Sequence, residues 1–118
     1  DQLKRFMQND VIEVVPLAYM RGRTMNNALI ILDEAQNATV SQMLMFLTRL
    51  GNHSKMVVTG DDSQSDLAGT EANGFIDAAE KLKSVPGVAI IRLTTADIVR
   101  HQLVQKIVDA YGRGPRNV

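Results

Sequence analysis

The alternation of apolar runs with helical faces predicts a doubly wound α/β fold built on a parallel sheet. Two observations carry that expectation. Short continuous apolar runs that suit strands are separated by amphipathic segments of helical period, and strands alternating with helices pair in parallel through right-handed crossovers. Two of the runs also end in acids, Asp33-Glu34 and Asp61-Asp62, at the carboxyl edge where ligands of such sheets bind.

Leu3, Phe6 and Met7 hint at a short opening helix, and Val11 to Val15, stopped by Pro16, reads as a strand. Ala28-Leu29-Ile30-Ile31-Leu32 is the clearest strand, a run that suits a position covered on both faces. Val40, Met43, Leu44, Leu47 and Leu50 then share one helical face. Thr39 with Gln42 forms a capping box before that helix, and Gly51 sits where a left-handed cap would end it. Met56-Val57-Val58-Thr59 is the next strand, leaving through Gly60-Asp61-Asp62. Phe75, Ile76, Ala79 and Leu82 give a second main helix after Gly74. Val88 to Leu93, after the Pro86-Gly87 turn, reads as a further strand. A last helix is expected from Thr94 or Thr95 to Tyr111, with Asp97 supporting its start.

A chain of 118 residues with 45% apolar side chains can bury one ordinary core. The expected organisation is a single domain over residues 1–111, followed by a flexible tail over 112–118. Thirteen basic and thirteen acidic residues cancel, so no global field draws the chain to nucleic acid or an anionic membrane, and any RNA contact would use a local patch. There is no cysteine, which excludes a disulfide framework and thiolate metal sites. No apolar run approaches the roughly 18 residues of a membrane span. The expectation is a soluble, cytoplasmic protein with no membrane partner.

The chemistry gathers at the two acidic strand ends. Magnesium prefers hard oxygen ligands and keeps several waters, so a single carboxylate at a strand end, Asp33, can hold a hydrated ion beside phosphates. Glu34, one residue later, is placed to polarise a water for attack on a γ-phosphoryl group. Acids commonly close strands, so this pair alone discriminates little. Gly60 and Asp61, followed by Gln64, add a tight turn and an uncharged amide at the neighbouring strand end, where the amide of Gln64 could meet a γ-phosphate oxygen or the attacking water. For Asp62 and Asp66 a solvated turn is the better reading. Arg21 and Arg23, flanking Gly22, offer guanidinium forks to a phosphate of ATP or of RNA, against the plain alternative of an ion pair or a solvated loop. His101 could contact nucleotide or RNA but at a helix start reads more simply as a local hydrogen-bonding residue, His53 reads as structural, and the spacing of the two is not that of a zinc site.

Pro16 to Thr24, Ile31 to Asn37, Val58-Thr59-Gly60-Asp61 with Gln64, Asp66 and Leu67, and Val99-Arg100-His101 together resemble the PhoH-like family, over about Val11 to Tyr111. The resemblance implies part of a RecA-like P-loop ATPase core that binds and hydrolyses ATP with Mg2+, coupled to RNA, in a homo-oligomer such as a hexameric ring. It implies catalytic roles for Glu34 and Gln64; by analogy with ring ATPases, Arg100 could act as an arginine finger across a subunit interface, against a structural or RNA-contact reading. Nucleotide contacts fall by the same likeness to Asp33, Gln36, Gly60, Asp61, Arg21 and Arg23, with Asp33 holding magnesium through water. The glycine-rich lysine loop that cradles phosphates is not among these residues, so the chain is expected to be a fragment of a longer protein and inactive alone. Ala68 and Gln102 stand where the family commonly has proline, which bears on loop geometry.

Three other readings compete. A phosphoacceptor receiver domain needs a lysine at its last strand, where Arg92-Leu93-Thr94 offers none. A metal-dependent ribonuclease would use Asp33, Glu34 and Asp61 around one or two ions. A non-catalytic RNA-binding or assembly module would use none of them for turnover.

Overall fold

The computed structural model describes residues 1–9, 11–63 and 73–112, which fall into two compact units, Asp1–Val88 and Ala89–Val118. The first unit carries α1 (Gln2–Gln8), β1 (Leu29–Leu32), α2 (Val40–Leu47), β2 (Lys55–Val58) and α3 (Gly74–Leu82), with 3-10 turns at Leu17–Met20 and Ala35–Asn37. The second carries a 3-10 turn at Thr95–Asp97 and α4 (Gln102–Ala110).

The first unit is organised by a β-α-β crossover. β1 and β2 pair in parallel with Leu29 beside Lys55 and Leu32 beside Val58, and α2 is the connection that a parallel pair requires. The ladder outlasts the strands: Thr59 N donates to Leu32 O and Ala35 N donates to Thr59 O, both at 2.9 Å. Met20, Ile30 and Phe46 form one buried cluster with Leu32, Met56 and Val58 packed against it. Ala35, Ala38 and Met43 form a second, reached by Leu17, Leu32, Val58 and Phe75. Leu17, Leu32, Leu47 and Val58 touch both clusters, so the core is continuous from the middle of the sheet to its carboxyl edge.

α2 begins as its sequence dictates. Thr39 Oγ1 accepts from Gln42 N at 3.2 Å while Gln42 Oε1 accepts from Thr39 N at 2.9 Å, so two amide groups that the first helical turn cannot satisfy find reciprocal partners. α3 is anchored to the same place. Gly74 N donates to Ala38 O at 2.8 Å and Thr39 bridges Asn73. A Cβ at Gly74 would collide with the Thr39 and Ala38 carbonyls, which is why glycine opens this helix. Asn73 caps it by accepting from Phe75 N and Ile76 N.

Several expectations are corrected. β1 is covered on one face: Ile30 is buried, whereas Leu29 and Ile31 are 65% and 62% exposed, because α2 and the Leu17–Met20 turn supply cover on one side. The face of α2 that reaches the core runs through Met43 and Phe46, while Leu44 is 63% exposed. Gly51 is no left-handed cap. α2 stops at Thr48, whose Oγ1 bonds the carbonyls of Leu44 and Met45 at 2.9 and 3.0 Å. Glycine at 51 answers a close approach instead, since a Cβ there would lie 2.6 Å from Met25 O, next to the Met25–Leu50 bridge.

Residues 11–15 and 88–93 form no strands among the described residues. An apolar run becomes a strand when a neighbouring edge takes its hydrogen bonds, and propensity without that pairing leaves irregular backbone. The helix expected from Thr94 or Thr95 is interrupted: Asp97 turns back to accept from Thr94 N at 2.6 Å, and α4 starts afresh at His101, whose Nδ1 accepts from Leu103 N at 3.0 Å. His101 is thus the local capping residue that its position suggested. Gln64, Asp66, Leu67, Ala68 and the tail beyond Gly112 lie outside the described residues.

The capping box gives a direct stability test. Thr39→Ala should cost about 1 kcal/mol in chemical denaturation and Thr39→Ser should restore most of it; equal stability of all three proteins would show that the box contributes nothing.

Candidate functional site

The extended ladder brings the ends of β1 and β2 together. Asp33 follows β1 directly, and its Oδ1 accepts from Glu34 N at 3.0 Å and from Thr59 Oγ1, across the strand gap, at 2.8 Å. Glu34 adopts the left-handed region, φ 56° and ψ 42°, where a side chain with a Cβ is disfavoured by about 1–2 kcal/mol. That turn ends the strand and starts the Ala35–Asn37 turn, which carries Ala35 and Gln36 into the interior. Strain at a residue of catalytic type is a common mark of functional sites.

Gln36 occupies the centre. It is 4% exposed, its Nε2 donates to Glu34 Oε2 at 2.6 Å, and its Oε1 accepts from Asp61 N at 3.0 Å. Asp61 shapes the turn after β2 by accepting from Ser63 N at 2.8 Å and Ser63 Oγ at 2.6 Å. The Ser63 hydroxyl first, and its amide second, hold the Asp61 carboxyl below its ordinary range. Gly60 lies under the Phe75 ring, 3.0 Å from where a Cβ would sit, so the turn is pressed close to α3.

Asp33, Glu34, Gln36, Gly60 and Asp61 are therefore neighbours along two adjoining strand ends, as expected. Arg21 and Arg23 are placed elsewhere in the first unit. Both precede the Met25–Leu50 bridge and so lie before the entry to β1, while Asp33 lies beyond its exit. Arg23 makes a two-point ion pair with Glu13, at 2.9 and 3.1 Å, and the guanidinium holds the Glu13 carboxyl below its usual range by hydrogen bonding first and charge second. Arg100, exposed, belongs to the second unit, just before α4. Gln64 lies outside the described residues. Sequence reading missed the role of Thr59: its hydroxyl and the Asp33 carboxylate are joined only through strand register, and the signal available was a hydrogen-bonding side chain at the same level beyond the second strand.

Among the described residues, no group of three or more His, Cys, Asp or Glu is placed to hold a metal ion. Asp33 is exposed, and its two hydrogen bonds to described residues both use Oδ1, so Oδ2 makes neither of them. One carboxylate oxygen fits a hydrated magnesium ion completed by phosphate oxygens, and fits poorly the shared carboxylate cage of a two-ion nuclease. No described helix is long and apolar enough to cross a membrane.

Fold and site together define a class: a parallel α/β protein with acids gathered beyond the carboxyl ends of adjacent strands. The chain belongs to the PhoH-like family, whose model matches residues 1–112, and membership implies a P-loop NTPase fold. It is 53% identical over 113 residues to the PhoH-like protein of Bacillus subtilis, covering 96% of this chain and 35% of that protein. It is 56% identical over 111 residues to the PhoH-like protein of Mycobacterium tuberculosis H37Rv, covering 94% of this chain and 32% of that one. Protein PhoH of Escherichia coli K12 is 48% identical over 100 residues, covering 85% and 28%. The chain thus spans about a third of the length of these relatives.

Two outcomes follow from the geometry. Glu34→Gly should be more stable than Glu34→Ala by about 1 kcal/mol, because glycine adopts the left-handed region without a Cβ penalty; equal unfolding midpoints would show that the backbone is unstrained. Ser63→Ala should move the Asp61 titration, followed by NMR, up toward the ordinary aspartate value. As the native value is depressed, whatever stability this carboxylate adds is present above the unfolded-state value and is lost as pH falls through the native one. An unchanged titration would remove Ser63 as the cause.

Proposed function

We propose that this chain supplies the magnesium-holding and water-activating half of an ATP-hydrolysing site in a RecA-like core. The observation that carries the reading is the Asp33-Glu34 pair at the end of β1, with the Glu34 carboxylate held by a buried amide against the turn that follows β2. Asp33 would hold the hydrated ion, which when bound offsets the negative charge of the phosphates. Glu34 would orient a water and take its proton as the water oxygen bonds to the γ-phosphorus and the bond to the β–γ bridging oxygen breaks, giving ADP and inorganic phosphate. The phosphates would lie in a glycine-rich lysine loop contributed by sequence outside these 118 residues.

Roles for Gln64 as an amide sensing the γ-phosphate, for Arg100 as a finger between subunits, and for Arg21 and Arg23 as phosphate contacts belong to the same proposal. So do coupling to RNA, a ring-shaped homo-oligomer and a cytoplasmic location, which family membership supports. For Arg23, a phosphate role requires exchange of its Glu13 partner for the ligand.

In the full-length protein Glu34→Gln should leave nucleotide binding nearly intact and lower turnover by on the order of a hundredfold or more, because the amide keeps the shape but cannot take a proton. Asp33→Asn should instead weaken the magnesium-dependent part of binding. Wild-type turnover by Glu34→Gln would exclude Glu34 as the base.

A further inference from the structure

We propose that Gln36 is a positioning residue that ties the Glu34 carboxylate to the turn after β2 and so sets the base relative to that turn. The proposal rests on the reading of Glu34 as base and assigns Gln36 a role different from contact with nucleotide. At 4% exposure Gln36 has almost no surface to offer a ligand. Its amide lies between a carboxylate oxygen, Glu34 Oε2 at 2.6 Å, and a backbone donor, Asp61 N at 3.0 Å.

The orientation of the amide is forced by chemistry. Asp61 N–H can only donate and an ionised carboxylate can only accept, so the opposite orientation would set oxygen against oxygen and N–H against N–H. A planar amide with both ends engaged transmits displacement. If the turn carrying Asp61 moves away, Oε1 loses that donor, and the hold of the amide on the Glu34 carboxylate is weakened. Glu34 has particular need of such a tie, because its left-handed backbone sets the direction of its side chain but leaves the terminal torsions free. Thr59 makes the corresponding link for Asp33, at 2.8 Å. Each acid of the first strand end is thus held by a group that answers to the second strand.

Two substitutions separate the two ends of the amide. Gln36→Glu keeps an oxygen to accept from Asp61 N but sets a carboxylate against Glu34, and two such groups either repel or share a proton, so no free base remains in place. Gln36→Met keeps the length of the side chain and removes the bonds to Glu34 and to Asp61 N. In the full-length protein, ATP turnover, ADP affinity and hydrogen exchange of the Asp61 amide, read by NMR after 15N-aspartate labelling, would be measured together.

Gln36→Glu should retain slow exchange at Asp61 while kcat falls on the order of a hundredfold, the scale of a misplaced catalytic group, with ADP affinity within about twofold. Gln36→Met should lose both turnover and Asp61 protection, while the amides of Ile30 and Phe46, labelled in parallel, exchange as in the wild type. Wild-type kcat in Gln36→Glu would overturn the proposal while leaving the ATPase reading intact. Equal loss of ADP affinity would return Gln36 to nucleotide contact, and faster exchange at Ile30 and Phe46 in Gln36→Met would reduce it to core packing. A wild-type protein that does not hydrolyse ATP removes the base itself, and both readings fall together.

Discussion

The site depends on the parallel register of β1 and β2 continuing past the strands into the segments that leave them. Thr59 is the shared residue: its amide reaches Leu32, its carbonyl receives Ala35, and its hydroxyl reaches Asp33. A slip of one residue between the strands would turn every side chain to the opposite face. Met56 and Val58 would leave the core, and Thr59 would no longer face the carboxylate. Apolar packing therefore fixes the register, and the register places the acids; neither acid needs to be buried to be positioned.

The parts of the fold that were legible in the sequence are those written in local chemistry. The Thr39–Gln42 box states where α2 begins, and the apolar runs at 28–32 and 56–59 state where two strands lie, within a residue of β1 and β2. Parallel pairing was legible as well, because a strand, a helix and a strand in succession leave few alternatives. Residues 11–15 and 88–93 have equally strand-like composition, yet strand formation is a property of a pair, and no composition names a partner. The break between Asp97 and His101 was hidden for a related reason. Both residues suit a helix start, and two competing starts within five positions divide what periodicity alone joins into one helix.

At the site, residue types were readable and connections were not. Asp33, Glu34, Gly60 and Asp61 could be singled out because acids and glycine at strand ends have chemistry of their own. Gln36 could be associated with them by family likeness, but its two hydrogen bonds come from the left-handed turn at Glu34, which carries the next two residues inward. A left-handed glutamate has no clear sequence mark, since asparagine or glycine would be the expected occupant. Conversely, the guanidinium forks of Arg21 and Arg23 suit a phosphate or an ion pair equally well by residue type; Glu13, ten residues before Arg23, is the ion-pair partner that spacing alone does not reveal.

The uncovered side of β1 has a bearing on how copies of the chain behave toward one another. Leu29, Ile31 and Val57 line that side, and the fourth residue in register with them is Lys55, beside Leu29. A flat apolar ladder invites stacking of sheet on sheet, and a lysine on the ladder works against it, because two such faces brought together would have to desolvate and oppose their ammonium groups. This safeguard is electrostatic, with a reach of about 10 Å at 0.1 M salt. Concentrated salting-out media shorten that reach and strengthen apolar attraction together, so the resistance that Lys55 offers to stacking on this face weakens as such salts are added.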